Sequence, residues 1–160
     1  MAEHILTRKL TLDLPLEQTF KFFSDAANLG RITPPELEFR MLTPKDVEMK
    51  EGTKLDYKLK LYKVPFGWRT LITEWNPPYS FTDESLKGPY KQWIHRHTFT
   101  ETETGGTLIS DEVRYRLPFE PFGDIVHWLV RKELEKIFDF RQKSVAQILQ
   151  PEKRFVKQAA

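Results

Sequence analysis

The stretch that decides the fold is residues 91–117, which read KQWIHRHTFTETETGGTLISDEVRYRL. Apolar and polar side chains alternate on both sides of Gly105 and Gly106. A period of two is the pattern of a β-strand with one buried face, and glycines between two such runs are typical of a turn. The stretch therefore predicts two antiparallel strands, residues 91–100 and 107–117, joined by a short turn.

Each of these strands has one face that is more apolar and aromatic, and we expect that face to point inward. It comprises Trp93, His95, His97 and Phe99 on the first strand and Thr107, Ile109, Asp111, Val113, Tyr115 and Leu117 on the second. The turn places Asp111 opposite either His97 or His95, and the choice stays open because the two registers differ by one pair step. In either register an imidazole and a carboxylate share the inner face.

Upstream of this hairpin, further alternating runs predict strands, and their short connectors imply antiparallel neighbours. These strands cover residues 4–14, 37–41, 54–61, 67–75 and 79–86. Pro65-Phe66-Gly67 is interpreted as one of the turns. After the first strand, Pro15 suits the first turn of a helix, and Ser24 or Asp25 can cap a second short helix.

Downstream of the hairpin the period changes from two to about 3.6, the period of an α-helix. The apolar residues at this spacing within residues 122–150 are Val126, Val130, Leu134, Ile137, Phe138, Val145 and Ile148. A helix of this length needs a broad apolar surface to lie on, and a curved antiparallel sheet supplies one.

The composition bounds the class of protein. The chain has 160 residues, which suits one domain over residues 1–160. Its basic and acidic residues are spread along the chain and sum to a net charge of +2, so no basic stripe forms and we expect no nucleic-acid partner. Cysteine is absent, which excludes disulfides and thiol chemistry. With no signal-peptide pattern and no apolar run near the ~20 residues of a membrane span, we expect a cytoplasmic protein without an integral membrane segment.

The order of elements resembles that of the START-like, or SRPBCC, superfamily. The segments that carry the likeness are residues 22–29 (FFSDAANL), Gly88-Pro89-Tyr90 with the late hairpin, and residues 137–141 (IFDFR), which resemble a bacterial cyclase/dehydrase-like branch. The resemblance implies an α+β helix-grip fold. A curved antiparallel sheet of about seven strands would wrap around the long C-terminal helix, with two short helices after the first strand. The superfamily includes lipid carriers, plant hormone receptors, polyketide aromatase/cyclases and chaperone-activator domains, so a shared fold does not transfer a reaction.

We expect such a fold to bind a small hydrophobic molecule, lipid-like, aromatic or polyketide-like, between sheet and helix. The cavity should be on the order of a few hundred Å³ or more. The candidate ligand-binding residues are Tyr57, Trp68, Phe81, Trp93, His95, His97, Asp111, Tyr115 and Arg141. Arg141 lies on the apolar stripe of the helix and could reach Asp111 or Asp83, or could extend its head into water. Asp83 is either a polar anchor or an exposed strand residue, and of the two we expect exposure. No role is assigned to His4 or His127.

The histidine–aspartate group has four interpretations. It can be a structural or polar-lining pair, a ligand anchor, or a catalytic dyad in which His95 or His97 is the base and Asp111 orients it. His95, His97 and Asp111 could also form a two-histidine, one-carboxylate metal face, although the resemblance implies no metal and we expect no cofactor. Two alternatives to simple ligand binding therefore remain, a cyclase- or dehydratase-type enzyme and a module that binds a protein partner.

Overall fold

The computed structural model describes residues 2–119, 122–153 and 155–158. Its elements, in chain order, are β1 (His4–Leu12), α1 (Leu16–Phe23), two 3-10 helices (Ala26–Ile32 and Pro35–Leu37), β2 (Arg40–Met41), β3 (Lys54–Leu61), β4 (Val64–Asn76), β5 (Ser80–Lys87), β6 (Gln92–Glu101), β7 (Thr107–Arg116), α2 (Phe122–Ile125) and α3 (His127–Leu149). No helix among these residues is long and apolar enough to cross a membrane.

The strands form one seven-stranded sheet in the order β1-β7-β6-β5-β4-β3-β2. Every neighbouring pair is antiparallel. The first strand pairs with the last long one, so the chain returns to its starting edge before α3 begins. With α3 packed on the inner face of the curved sheet, the predicted α+β helix-grip fold is confirmed.

The register of the late hairpin is resolved. His97 stands opposite Asp111, and His95 stands opposite Val113. Along β6 the side chains of Trp93, His95, His97 and Phe99 are buried in strict alternation. The inward face predicted for this strand is therefore confirmed.

Two apolar clusters form the core, and α3 joins them. Its residues Leu134 and Phe138 pack in one cluster with Trp93 and other sheet residues. Val145, about two turns further along, packs in the other cluster with Phe81 and Phe99. One continuous helix face therefore covers both ends of the sheet.

The turn between β3 and β4 differs from the sequence-based interpretation. Pro65, Phe66 and Gly67 lie within β4, and the chain reverses at Tyr62 and Lys63, whose φ angles are 51° and 65°. A two-residue hairpin turn of this kind needs positive φ at both positions and usually uses Asn or Gly. The turn was missed because Tyr and Lys carry no such signal.

Two further segments differ from their predicted form. Residues 37–41 do not form a full strand, because Pro34 and Pro35 start a 3-10 helix and only Arg40–Met41 pair with β3. The predicted helix over residues 122–150 is divided at Val126 into α2 and α3. In α2, Gly123 lies against the backbone of Pro118, where an added Cβ would stand 2.3 Å from the carbonyl oxygen.

Candidate functional site

A cavity of about 150 Å³ lies between the sheet and α3. Seven of the nine predicted ligand-binding residues line it, namely Tyr57, Trp68, Phe81, Trp93, His95, His97 and Arg141. The cavity is smaller than the several hundred Å³ expected. The reason is aromatic packing: Trp68 lies edge-on to Trp93 at 5.4 Å and stacks on Tyr57 at 5.9 Å, so large side chains fill part of the space.

The two remaining candidates, Asp111 and Tyr115, do not line the cavity. Asp111 lies behind the two histidines and contacts both. Tyr115 is fully buried, and its hydroxyl group lies 2.8 Å from Nε2 of His127. Period two placed both residues on the inner face correctly, but it does not tell a wall residue from one that another side chain covers.

The histidines and aspartates form one connected group. His95 donates from Nε2 to Oδ1 of Asp111 at 2.8 Å, and His97 donates from Nε2 to Oδ2 of Asp83 at 2.8 Å. Nδ1 of His97 lies 3.3 Å from the same Asp111 oxygen, off the direction of a hydrogen bond. Asp111 thus bonds to its diagonal neighbour rather than to the residue directly opposite, a reach that is normal for long side chains in antiparallel strands.

Asp83 was expected to be exposed, and that expectation is wrong. Its side chain is 17% exposed, lines the cavity and bonds to His97. Asp83 lies two residues after Phe81 on β5, so both side chains share one face of the strand. That spacing was the signal that would have placed Asp83 at the site.

The pKa values of the two imidazoles in this group are shifted in opposite directions. Burial disfavours the charged form of each histidine and each aspartate. Hydrogen bonds from the histidines outweigh burial and lower the pKa of both Asp83 and Asp111. Burial and the neighbouring charge of His97 lower the pKa of His95, whereas for His97 the contacts with Asp111 and Asp83 outweigh burial and raise the pKa. His97 therefore takes up a proton before His95 does.

Arg141 reaches the cavity but not the predicted carboxylates. Within the described residues it forms no ion pair with Asp83 or Asp111, whose bonds go to the histidines. Its guanidinium carbon lies 5.1 Å from the centre of the Phe138 ring. Its Nε is buried and has no hydrogen-bond partner.

The site contains donor atoms of the kinds that bind transition metals. One donor atom each from Asp83, His95 and His97 lies within 4.8 Å of the others, and two imidazoles with one carboxylate are typical of iron and zinc sites. Asp83 takes the place that the sequence had suggested for Asp111. Nε2 of each histidine donates to a carboxylate. The expected absence of a metal stays a prediction.

His4 and His127 form a second aromatic group away from the cavity. Their rings stack at 3.5 Å, His4 contacts Asp124 at 3.2 Å, and His127 bonds to Tyr115. These contacts tie the start of α3 to the sheet edge. No functional role is needed to explain them.

A second, apolar cavity of about 380 Å³ lies at one end of the fold, near the β3–β4 turn and α2. Leu61 and Tyr90 line both cavities, so the two adjoin. Several large apolar side chains around this end are exposed, and we call them the apolar end surface: Tyr62, Val64, Phe119, Phe122, Ile125, Val126, Trp128 and Leu129. Exposed patches of this kind commonly mark interaction sites.

Comparisons with known proteins identify the fold. No protein-family model matches the sequence, and no curated protein matches it. Among solved structures, the Zhui aromatase/cyclase of Streptomyces sp. R1128 is similar at 10% identity and a TM-score of 0.76, over 96% of this chain and 97% of that one. A START superfamily protein of Mycobacterium smegmatis is similar at 14% identity and a TM-score of 0.68, over 91% and 99%.

A third similar structure is norcoclaurine synthase of Thalictrum flavum in complex with dopamine and hydroxybenzaldehyde. It shares 13% identity and a TM-score of 0.67, over 96% of this chain and 90% of that one. At these identities the likeness concerns the fold and not the reaction. The chain has the helix-grip fold of the START-like, or SRPBCC, superfamily.

Proposed function

We propose that the chain is a single START-like domain over residues 1–160 that binds a small hydrophobic molecule between the sheet and α3, in the cytoplasm. The observation that carries the proposal is the apolar cavity, whose wall includes the polar side chains of His95, His97 and Arg141. Apolar walls with a few placed polar groups are typical of small-molecule sites. In such a site, burial holds the apolar part of the ligand, and the polar groups of the protein set the orientation of the ligand.

The size of the cavity favours an aromatic ligand over a lipid-like one. A cavity of about 150 Å³ holds roughly one aromatic ring, and the space here is of that order. The aromatase/cyclase and the norcoclaurine synthase complex with hydroxybenzaldehyde share this fold, which supports aromatic or polyketide-like ligands. A longer chain would have to extend past Leu61 and Tyr90 into the second cavity.

Native mass spectrometry of the protein purified from its own host tests this proposal. We expect a co-purifying molecule that is lost from Ile137→Trp, since Ile137 lines the cavity and a larger side chain would fill it. The exposed Lys132 of the same helix provides a matched control, and Lys132→Trp should keep the molecule. A wild-type protein that carries no molecule and binds no aromatic probe in titrations would contradict the proposal.

A second candidate function is a cyclase- or dehydratase-type enzyme. It is favoured by two imidazoles whose pKa values are shifted in opposite directions at one cavity wall, an arrangement that assigns base and acid roles. His95 would be the base through its Nδ1, and the hydrogen bond from its Nε2 to Asp111 would orient the ring. His97 would be the acid, and its hydrogen bond to Asp83 would orient it.

Deuterium exchange tests the enzyme. The exchange of the methyl protons of acetophenone, a ketone with one aromatic ring, in D2O and followed by NMR reports proton abstraction next to a carbonyl. We expect His95→Gln to slow the catalysed exchange by about 100-fold, within the usual range for a general base, while acetophenone binding changes little. Exchange that is no faster with the wild-type protein than in buffer would exclude this activity for such ketones.

The third candidate, a protein-interaction module, is supported by the apolar end surface. A partner chain that covered Phe119 and Phe122 would bury large apolar side chains that now face water. Binding there would be independent of the inner cavity, so Ile137→Trp should not affect it. A partner whose binding persists when Phe122 and Trp128 are both replaced by Ser would not be using this surface.

A further inference from the structure

Within the described residues, three side chains on the cavity wall have a buried nitrogen atom without a hydrogen-bond partner. One is Nδ1 of His97, which lies beside Asp111. The other two are Nε1 of Trp68, a residue of β4 that is 7% exposed, and Nε of Arg141 on α3. Indole and guanidinium groups can donate hydrogen bonds but cannot accept them, so both need an acceptor that the described residues do not provide.

Acceptor groups at or behind the wall form hydrogen bonds to side chains other than Trp68 and Arg141. Asp83 and Asp111 accept from His97 and His95 at 2.8 Å. The Tyr57 hydroxyl shares a hydrogen bond with Thr70 at 3.3 Å. The charge of Arg141 acts on Asp83 and Tyr57, so its guanidinium group lies near them but bonds to neither.

The charges at the wall allow an anion beside Arg141. Nε2 of His97 donates to Asp83, and its Nδ1 lies 3.3 Å from an oxygen of Asp111 without the direction of a hydrogen bond. Two carboxylates beside one imidazole favour the doubly protonated ring. The positive charges of His97 and Arg141 then balance the two carboxylates, and an anionic group meets no excess negative charge.

We propose that the bound molecule is a small aromatic carboxylic acid, whose carboxylate pairs with Arg141 while its ring occupies the apolar cavity. A carboxylate offers two acceptor oxygens in the plane that a guanidinium fork matches. The inference deepens the proposed function and rests on it, because it names the chemical class of ligand for the same cavity. It also gives Arg141 the partner that the sheet does not supply.

Two probes with a single aromatic ring test this inference in calorimetric titrations, benzoate and the uncharged benzyl alcohol. We expect the wild-type protein to bind benzoate about tenfold more tightly or better, the usual gain from a charge-assisted pair. Arg141→Met should remove that preference and leave the affinity for the alcohol within about twofold, since the aliphatic stem and the apolar walls remain. Lys143→Met removes one positive charge from the exposed face of the same helix and should change neither affinity.

The outcomes separate this inference from the proposal on which it rests. If the wild-type protein binds both probes equally, or prefers the alcohol, the acidic ligand is excluded and apolar binding stands. Preference for benzoate that persists in Arg141→Met also overturns the role of Arg141. If neither probe binds, the proposed function fails as well. Arg141→Lys keeps the charge without the fork and should retain part of the preference, which provides a second reading if Arg141→Met does not fold.

Discussion

The imidazole rings of His95 and His97 stack with their centroids 3.7 Å apart, and each donates from Nε2 to a different carboxylate. Two stacked imidazoles cannot both take a proton without repulsion between like charges. The group is therefore built to hold one proton more readily than two. His97 is the ring that holds it, because a carboxylate oxygen lies 2.8 Å from its Nε2 and another lies 3.3 Å from its Nδ1.

The first prediction concerns the order in which the two rings titrate. We expect NMR titration of the imidazole signals to give an apparent pKa above 6.5 for His97 and below 6.5 for His95. Asp83→Asn removes one of the two carboxylates at His97 and should lower its pKa. Glu84→Gln, at the neighbouring position on β5, should leave both rings as they are. A His95 that titrates first would reverse our assignment of acid and base.

The second prediction concerns the stability that Asp111 contributes. Asp111→Asn should lower the free energy of unfolding by about 1–3 kcal/mol, the usual penalty when a buried polar group loses its partner. Urea denaturation at pH 5.5 measures the change. Glu112→Gln is the matched control, because Glu112 is 43% exposed and pairs with Arg114 at the surface, where ion pairs contribute about 0–1 kcal/mol.

The third prediction concerns how that difference depends on pH. The pKa of Asp111 is lowered in the folded protein, so its contribution exists above the unfolded value of 3.8 and is lost as the pH falls through the folded pKa. The pKa of His97 is raised, so its contribution exists below 6.5 and is lost as the pH rises through the folded value. The gap in stability between wild-type protein and Asp111→Asn should therefore be largest between pH 4 and 6.5. A gap that keeps growing above pH 8 would show that His97 is not charged in the folded state.

Much of this arrangement followed from the sequence. Alternation placed His95, His97 and Asp111 on one inner face, because the period of a strand fixes which side chains share a face. It left the partner of Asp111 open, and the structure shows why: the backbone pairs Asp111 with His97, while the hydrogen bond goes diagonally to His95. Side-chain reach of this kind depends on rotamers, which a residue pattern does not contain.

The misses have equally local causes. Asp83 was missed because a lone acidic residue on a strand is usually exposed, whereas here His97 supplies the partner that burial requires. The β3–β4 turn was missed because its positive-φ residues are Tyr62 and Lys63 rather than Gly or Asn. The size of the cavity depends on how Trp68, Trp93 and Tyr57 pack against each other, and spacing along the chain does not encode that packing.

The fourth prediction concerns metals. Nε2 of each histidine donates to a carboxylate, so a metal would have to bind through the Nδ1 atoms, and Nδ1 of His97 already lies 3.3 Å from an oxygen of Asp111. We expect that EDTA leaves the melting temperature unchanged and that zinc does not raise it, since a ligand that binds only the folded state would do so. A zinc-dependent increase that disappears in Asp83→Asn would instead show that Asp83, His95 and His97 bind the ion.

The last prediction compares two phenylalanines at opposite extremes of burial. Phe122 is 71% exposed on the apolar end surface, whereas Phe138 is 2% exposed and contacts His95 with ring centres 5.5 Å apart. Phe138→Ala should destabilise the fold by about 3–5 kcal/mol, as large-to-small changes in a core do. Phe122→Ser should change stability by no more than about 0.5 kcal/mol, because most of the Phe122 side chain already faces water. If the apolar end surface binds a second copy of this chain, sedimentation velocity should show Phe122→Ser as a smaller species than the wild-type protein at equal concentration. Equal sedimentation of the two proteins, with equal stability, would mean that Phe122 contributes neither to the core nor to self-association.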